Sequence, residues 1–86
     1  MANINYEELA AGIMEHIGGA ENVKTVTHCV TRLRFYLKDR NAAEDDKIKR
    51  LPGVLGVVYG NGQYQIILGE HLFTVFDRIV KNYPVE

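Results

Sequence analysis

The only cysteine of the chain, Cys29, lies shortly before two arginines, Arg32 and Arg34. A thiol is a nucleophile only as the thiolate, and nearby cations or unpaired backbone N–H groups stabilise that anion and lower its pKa. Arginines two residues apart share one face of a strand, and a guanidinium group matches phosphate oxygens with two parallel hydrogen bonds. This pattern indicates a thiol that carries a phosphoryl group while the two arginines hold its charge.

Each residue of this segment also has a structural interpretation. A lone cysteine in a cytosolic domain is usually a small buried hydrophobic residue, and Arg32 and Arg34 fit the solvated face of an open sheet. His28 can simply be a residue of the turn, and the Thr31 side chain can satisfy backbone groups in that turn. The position of Cys29 between a histidine and two arginines favours the chemical interpretation.

Metal and nucleotide chemistry find little support in the sequence. The three histidines, His16, His28 and His71, are far apart, and no Cys or His pair has the spacing of zinc ligands. No glycine-rich phosphate loop is present, and a single cysteine excludes a Cys-x-x-Cys redox site. We therefore expect neither a metal nor a cofactor.

Length and composition indicate one small globular domain. With 86 residues, of which 47% are hydrophobic, the chain has enough apolar surface for a single core but not for two. The N-terminus lacks the pattern of a signal peptide, and the apolar runs are far shorter than the ~20 residues of a membrane span, so we expect a cytoplasmic domain. The net charge of −1 conceals an asymmetry, because residues 22–40 carry +4 and the rest −5.

The N-terminal segment predicts a helix over about residues 5–18. Asn5 is a favourable N-cap, and Glu8, three residues later, completes the sequence pattern of a capping box. Apolar residues then recur at helical spacing until Gly18 and Gly19, which suit a left-handed C-terminal cap.

A first hairpin is predicted between residues 22 and 39. Residues 23–28 are rich in β-branched side chains, and apolar residues then alternate with Arg32, Arg34 and other polar ones. The turn between the two strands falls near residues 29–31. Cys29 is therefore expected at a strand end or turn rather than in the middle of the sheet.

A second hairpin is predicted from residues 54–59 and 63–68. The two runs are joined through Gly60-Asn61-Gly62, and Asn-Gly between strand-like runs is the strongest short hairpin signal.

Two further helices are predicted around this second hairpin. Asn41 with Glu44 forms a second capping-box pattern, which opens a short helix that ends at Pro52-Gly53. The last helix follows Gly69 and stops before Pro84. Its predicted apolar stripe consists of Leu72, Val75, Phe76, Ile79 and Val80.

The order of elements is therefore αββαββα, which defines an α+β fold. We expect a four-stranded, mainly antiparallel open sheet with three helices on one face. In the second strand Leu33, Phe35 and Leu37 would point to the helices, and Arg32 and Arg34 to solvent or to a partner.

The cysteine segment resembles the signature of a known family, the cytoplasmic enzyme IIB (EIIB) domain of the phosphoenolpyruvate-dependent sugar phosphotransferase system (PTS), glucose/sucrose/β-glucoside class. Every defined place of the signature is filled, by Asn22, Val23, Cys29, Thr31, Arg32, Leu33, Phe35, Leu37 and Asp39. The likeness extends over nearly the whole chain and includes Gly62-Gln63-Tyr64-Gln65. The His28-Cys29 pair is more similar to the β-glucoside/sucrose branch than to the glucose branch.

The resemblance implies a phosphotransferase without cofactor. Cys29 would accept a phosphoryl group from a phosphohistidine on enzyme IIA (EIIA) and donate it to a sugar held by the membrane-embedded enzyme IIC (EIIC). Arg32 and Arg34 would assist as catalytic residues, and Thr31 and His28 would support the phosphate. Residues 1–86 would be one EIIB domain, at the inner face of the membrane through EIIC and commonly fused to other components.

A binding module of a different class remains as the alternative. The basic face of an open antiparallel sheet can bind RNA, but such recognition normally needs exposed aromatic residues for stacking. Only Tyr36 alternates with the basic residues of the second strand. We therefore expect no nucleic-acid partner.

Overall fold

Local sequence signals set the bounds of the helices and strands in the computed structural model, which describes residues 4–85. Residues 1–3 and 86 of the predicted domain lie outside this part. The three helices and four strands are α1 Tyr6–His16, β1 Val23–His28, β2 Arg32–Leu37, α2 Asp45–Lys49, β3 Gly56–Gly60, β4 Gln63–Ile67 and α3 Leu72–Asn82. Short 3-10 helices lie at Ala20–Asn22, Arg40–Ala42 and Gly69–His71.

Helix α1 is capped at both ends by the residues that the sequence indicated. The Asn5 side chain accepts a hydrogen bond of 3.1 Å from the backbone N–H of Glu8, which is the Asn5 half of the predicted capping box. At the other end Gly18 and Gly19 have φ angles of 104° and 84°, and the N–H of Gly19 donates to the carbonyl of Met14. The helix ends at His16 because the following residues form this left-handed cap.

The four strands form one antiparallel sheet in the order β1-β2-β4-β3. The predicted αββαββα order and open antiparallel sheet are therefore confirmed. The second hairpin turns through Asn61 and Gly62, whose φ angles of 55° and 75° are typical of a two-residue type I′ turn. Strands β2 and β4 lie in the centre of the sheet, and β2 leads directly out of the cysteine loop.

The core fills the space between the sheet and the helices. Leu33 and Phe35 are fully buried in it, whereas Arg32 and Arg34 alternate with them and lie on the opposite, open face of the sheet. The longest helices within residues 4–85 have 11 residues, too few to cross a bilayer.

Three details differ from the sequence prediction. Helix α2 ends at Lys49, before the predicted end at Pro52-Gly53. The capping box predicted at Asn41 is wrong, because the carboxylate of Asp39 accepts from the N–H of Asn41 and caps a 3-10 helix, so that α2 begins only at Asp45.

The apolar stripe of α3 also excludes Val80, which is 40% exposed. Val80 directly follows the buried Ile79 and is therefore turned by about 100° around the helix axis.

Candidate functional site

The cysteine loop, residues 29–31, is held by backbone hydrogen bonds at both ends. The N–H of Cys29 donates to the carbonyl of Arg32 at 3.0 Å. The carbonyl of Thr31 accepts from the N–H groups of Leu68 and Gly69 at 2.9 and 3.1 Å. The loop is thus fixed both to its own strand and to the connection between β4 and α3.

The thiol of Cys29 is free, partly exposed and surrounded by donors. Its pKa lies below the ordinary value, chiefly because the backbone N–H of Thr31 hydrogen-bonds to the sulfur. The backbone N–H of Arg32 and the guanidinium group of Arg34 lower this pKa further, whereas desolvation opposes them. The loop therefore favours the thiolate and offers donors to any anion that replaces it.

Arg32 and Arg34 share the open face of the sheet, as their spacing predicted, but their side chains have different surroundings. Arg34 pairs across the sheet with Thr27 on one side and Gln65 on the other. Its Nε atom is buried and has no hydrogen-bond partner within residues 4–85. Arg32 instead donates from Nη1 to the Oε1 atom of Gln65 at 3.0 Å. Within the described residues Arg34 thus keeps one donor without a partner, and its guanidinium group acts on the thiol.

His28 lies beneath the loop, on the helix side of the sheet. It pairs with the buried Leu33, and its ring packs edge-on against Phe76 and Phe73, with centroids 4.5 and 5.2 Å away. Its Nδ1 atom is 2.9 Å from the carbonyl oxygen of Cys29, and because a carbonyl only accepts, Nδ1 carries the proton. This contact supports the cysteine loop from the helix side of the sheet. The phosphate contact predicted for His28 remains a prediction.

Sequence reasoning missed the part that Gln65 plays at this site. Gln65 is only 7% exposed although it lies on the open face. Gln65 lies opposite Arg34, and its alternation with Gln63 in β4 is the sequence signal that both glutamines share the open face of the sheet.

Three large apolar side chains are exposed around the cysteine loop. Val30 is 76% exposed within the loop itself, and Phe73 is 58% exposed where its ring touches His28. Leu55 is 74% exposed and lies near Gly69, which is bonded to the loop. We call these three residues the apolar rim. Exposed apolar side chains grouped around a polar site are typical of surfaces that bind other proteins.

Residues 4–85 contain no group of three or more His, Cys, Asp or Glu that could hold a metal ion. The arrangement of the site is instead suited to a nucleophilic thiol and an anion bound to it.

Comparison with known proteins identifies the class to which this fold and site belong. A family model described as "phosphotransferase system, EIIB" matches residues 11–43, which include Cys29 and both arginines. The crystal structure of one domain of the PTS system IIabc component from Clostridium difficile superposes with a TM-score of 0.86 and is 38% identical. The match covers 94% of this chain and 86% of that one. The chain belongs to the EIIB family of the phosphotransferase system.

Curated relatives show which members of this family the chain is similar to. It is 45% identical over 91% of its length to the PTS system beta-glucoside-specific EIIBCA component of Halalkalibacterium halodurans. It is 39% identical over 96% of its length to the PTS system sucrose-specific EIIBC component of Bacillus subtilis. The chain spans only 12% and 18% of the lengths of these two relatives.

Proposed function

We propose that this chain is a phosphocysteine carrier in sugar uptake. Cys29 accepts a phosphoryl group from a phosphohistidine of EIIA and donates it to a sugar bound by EIIC. The observation that carries the proposal is the position of the thiol, at the tip of a hairpin and among donors that lower its pKa. The chain's membership of the EIIB family supports the same reaction.

Both steps use the thiolate, first as nucleophile and then as leaving group. In the first step the sulfur attacks the phosphorus of the phosphohistidine, the S–P bond forms as the P–N bond breaks, and the departing imidazole takes up a proton. In the second step a sugar hydroxyl oxygen attacks the phosphorus and releases its proton, the S–P bond breaks, and the thiolate is regenerated. The donors that lower the thiol pKa favour both steps. They stabilise the sulfur anion as the nucleophile of the first step and as the leaving group of the second.

The donors around the sulfur hold the transferred group. The backbone N–H groups of Thr31 and Arg32 and the guanidinium group of Arg34 face the sulfur, so they can bind the phosphoryl oxygens after transfer. Arg34 also has a buried Nε atom that lacks a hydrogen-bond partner within residues 4–85. Phosphoryl transfer depends mainly on positioning and on stabilising charge, so a fixed loop of this kind is sufficient.

The apolar rim is the surface on which we propose that EIIA and EIIC dock in turn. Their own groups complete the site at each step, and an exposed loop admits both partners. The relatives named EIIBC and EIIBCA components favour a β-glucoside or sucrose as the sugar and EIIB fused to EIIC. In such a permease the chain lies in the cytoplasm at the inner face of the membrane.

Incubation with phosphorylated EIIA, followed by mass spectrometry, tests the proposal. We expect one phosphoryl group on Cys29, none on the Cys29→Ser variant and none on wild type whose thiol has been alkylated. A phosphoryl group on His16, His28 or His71 instead, or sugar phosphorylation that survives Cys29→Ser, would overturn the proposal.

A further inference from the structure

Three hydrogen-bonded side chains extend from Arg32 across the open face of the sheet. The Nη1 atom of Arg32 donates to Gln65 at 3.0 Å, and the Nε2 atom of Gln65 donates to Gln63 at 3.2 Å. The Nε2 atom of Gln63 then donates to the hydroxyl of Tyr36 at 2.7 Å. We call this sequence of contacts the glutamine relay.

The relay has only one consistent direction. A guanidinium group has donors and no acceptor, so Gln65 must turn its oxygen to Arg32 and its nitrogen to Gln63. Gln63 must therefore turn its oxygen to Gln65 and its nitrogen to the hydroxyl of Tyr36, which accepts. Each amide fixes the orientation of the next, and the relay ends with one acceptor aimed at Arg32.

Burial gives this acceptor its strength. Gln65 is 7% exposed, so little water reaches its amide to compete for the hydrogen bond from Arg32. Gln65 also lies directly opposite Arg34 in the register of β2 and β4, yet its oxygen accepts from Arg32 and the Nε atom of Arg34 stays unpartnered within residues 4–85. Gln65 thereby holds Arg32 by a hydrogen bond and leaves Arg34 available to the thiol.

We propose that Gln65 is a positioning residue for phosphoryl transfer, acting through Arg32. Gln65 accepts one N–H of the Arg32 guanidinium group and so fixes the orientation of that planar group. The remaining N–H donors of Arg32 are then presented to the phosphoryl group at a fixed angle. The inference rests on the proposed function and deepens it, because it assigns a role to a residue that does not touch the thiol. Gln63 and Tyr36 act one step further away, by orienting Gln65.

A double-mutant cycle between Gln65 and Arg32 tests this role. Sugar phosphorylation is measured with phosphorylated EIIA and with membranes that contain EIIC, for Gln65→Leu, Arg32→Ala and the double variant. We expect Gln65→Leu to lower kcat roughly tenfold and to leave the KM for EIIA within about twofold, because a misplaced group affects the transition state more than docking. In the Arg32→Ala background Gln65→Leu should have little further effect.

Matched variants separate positioning from a general disturbance of the sheet. Val58→Ala lies opposite Gln65 on the neighbouring strand, removes no hydrogen bond and should retain wild-type kcat. Gln63→Leu should lower kcat only two- to threefold, an order-of-magnitude expectation for a group one step further from the arginine. Because Gln63→Leu leaves Arg32 and Gln65 intact, it tests the relay even if Gln65→Leu fails to fold.

Nuclear magnetic resonance of the Arg32 side chain gives a measurement that does not depend on the reaction. Its guanidinium protons should exchange slowly with water in wild type and rapidly in Gln65→Leu. Slow exchange in both proteins, unchanged kcat in Gln65→Leu, or an equal loss with and without Arg32 would overturn the inference. If instead wild type takes no phosphoryl group on Cys29 while Arg32 is held as described, the proposed function is wrong and the structural contact stands.

Discussion

At the scale of single residues, Arg34 is the charged side chain that acts on the thiol of Cys29. The positive charge of Arg34 lowers the pKa of the thiol, after the backbone N–H groups of Thr31 and Arg32. The rate of alkylation by iodoacetamide follows the thiolate fraction, so its pH profile reports this pKa directly.

We expect the alkylation midpoint of wild type to lie below the ordinary thiol value of 9.0 and to rise in Arg34→Gln. Lys38→Gln is the matched control, because it removes the same charge from an exposed position beyond the far end of β2. Equal midpoints in wild type and Arg34→Gln, or an equal shift in the control, would contradict the assigned contact.

At the scale of elements, the turn between β3 and β4 shows how one backbone angle fixes a hairpin. Gly62 has a φ of 75°, a region in which residues with a Cβ atom are strained, whereas Gly60 has no positive φ and open space where a Cβ atom would be.

Gly62→Ala should therefore lower the free energy of unfolding by about 1 kcal/mol, and Gly60→Ala should change it much less. Urea denaturation of both variants measures the difference. If the two substitutions lower the free energy of unfolding equally, the positive φ at residue 62 is not what fixes this turn.

Helix α2 is fastened to the sheet by the carboxylate of Asp45. The hydroxyl of Tyr64 donates to it at 2.6 Å, and the guanidinium group of Arg40 binds both of its oxygens, at 3.3 and 3.0 Å. These contacts lower the pKa of Asp45, with the Tyr64 hydroxyl as the largest cause. Because the folded-state pKa is depressed, the stabilisation is present above the unfolded pKa and is lost as the pH falls through the folded value.

Asp45→Asn should accordingly lower stability at pH 7 and reduce the loss of stability on acidification below about pH 4. Asp46→Asn serves as control, since it removes the same charge from the exposed neighbouring residue. The measurement is urea denaturation at pH 7 and pH 3. A pH dependence of Asp45→Asn that matches wild type would show that the carboxylate does not fasten α2 in this way.

At the scale of the whole molecule, the apolar rim and the cysteine loop lie together at one end of the sheet. The side chain of Leu55 is exposed, so its replacement tests docking without a large cost in stability. Leu55→Ser should raise the KM for phosphorylated EIIA roughly fivefold, because less apolar surface is buried on binding, and should leave kcat unchanged.

Val80→Ser is the control for this docking surface, because Val80 is also partly exposed but lies two turns after Phe73 along α3. Its KM should equal that of wild type. A rise in KM for Val80→Ser, or none for Leu55→Ser, would place the docking surface elsewhere.

Much of the fold could be predicted because its signals act between near neighbours. The cap at Asn5, the left-handed glycines at 18 and 19 and the Asn-Gly turn depend on a few consecutive residues, and each lies where the sequence indicated. The second cap could not be placed as reliably. Asp39 and Asn41 both suit a helix start, and the structure shows that Asp39 caps a 3-10 helix whereas α2 begins after Glu44 without a side-chain cap.

The candidate site divides in the same way between sequence and tertiary structure. The sequence by itself determined that Cys29 lies at a turn and that Arg32 and Arg34 share one face, because the period of a strand requires it. The tertiary structure decided which donors reach the sulfur and that Arg32 donates a hydrogen bond to Gln65. It also decided that the Nε atom of Arg34 has no partner in the part of the chain that the structure describes. Arg32 and Gln65 are 33 positions apart, and only the pairing of β2 with β4 brings them together, so no local pattern could have shown their contact.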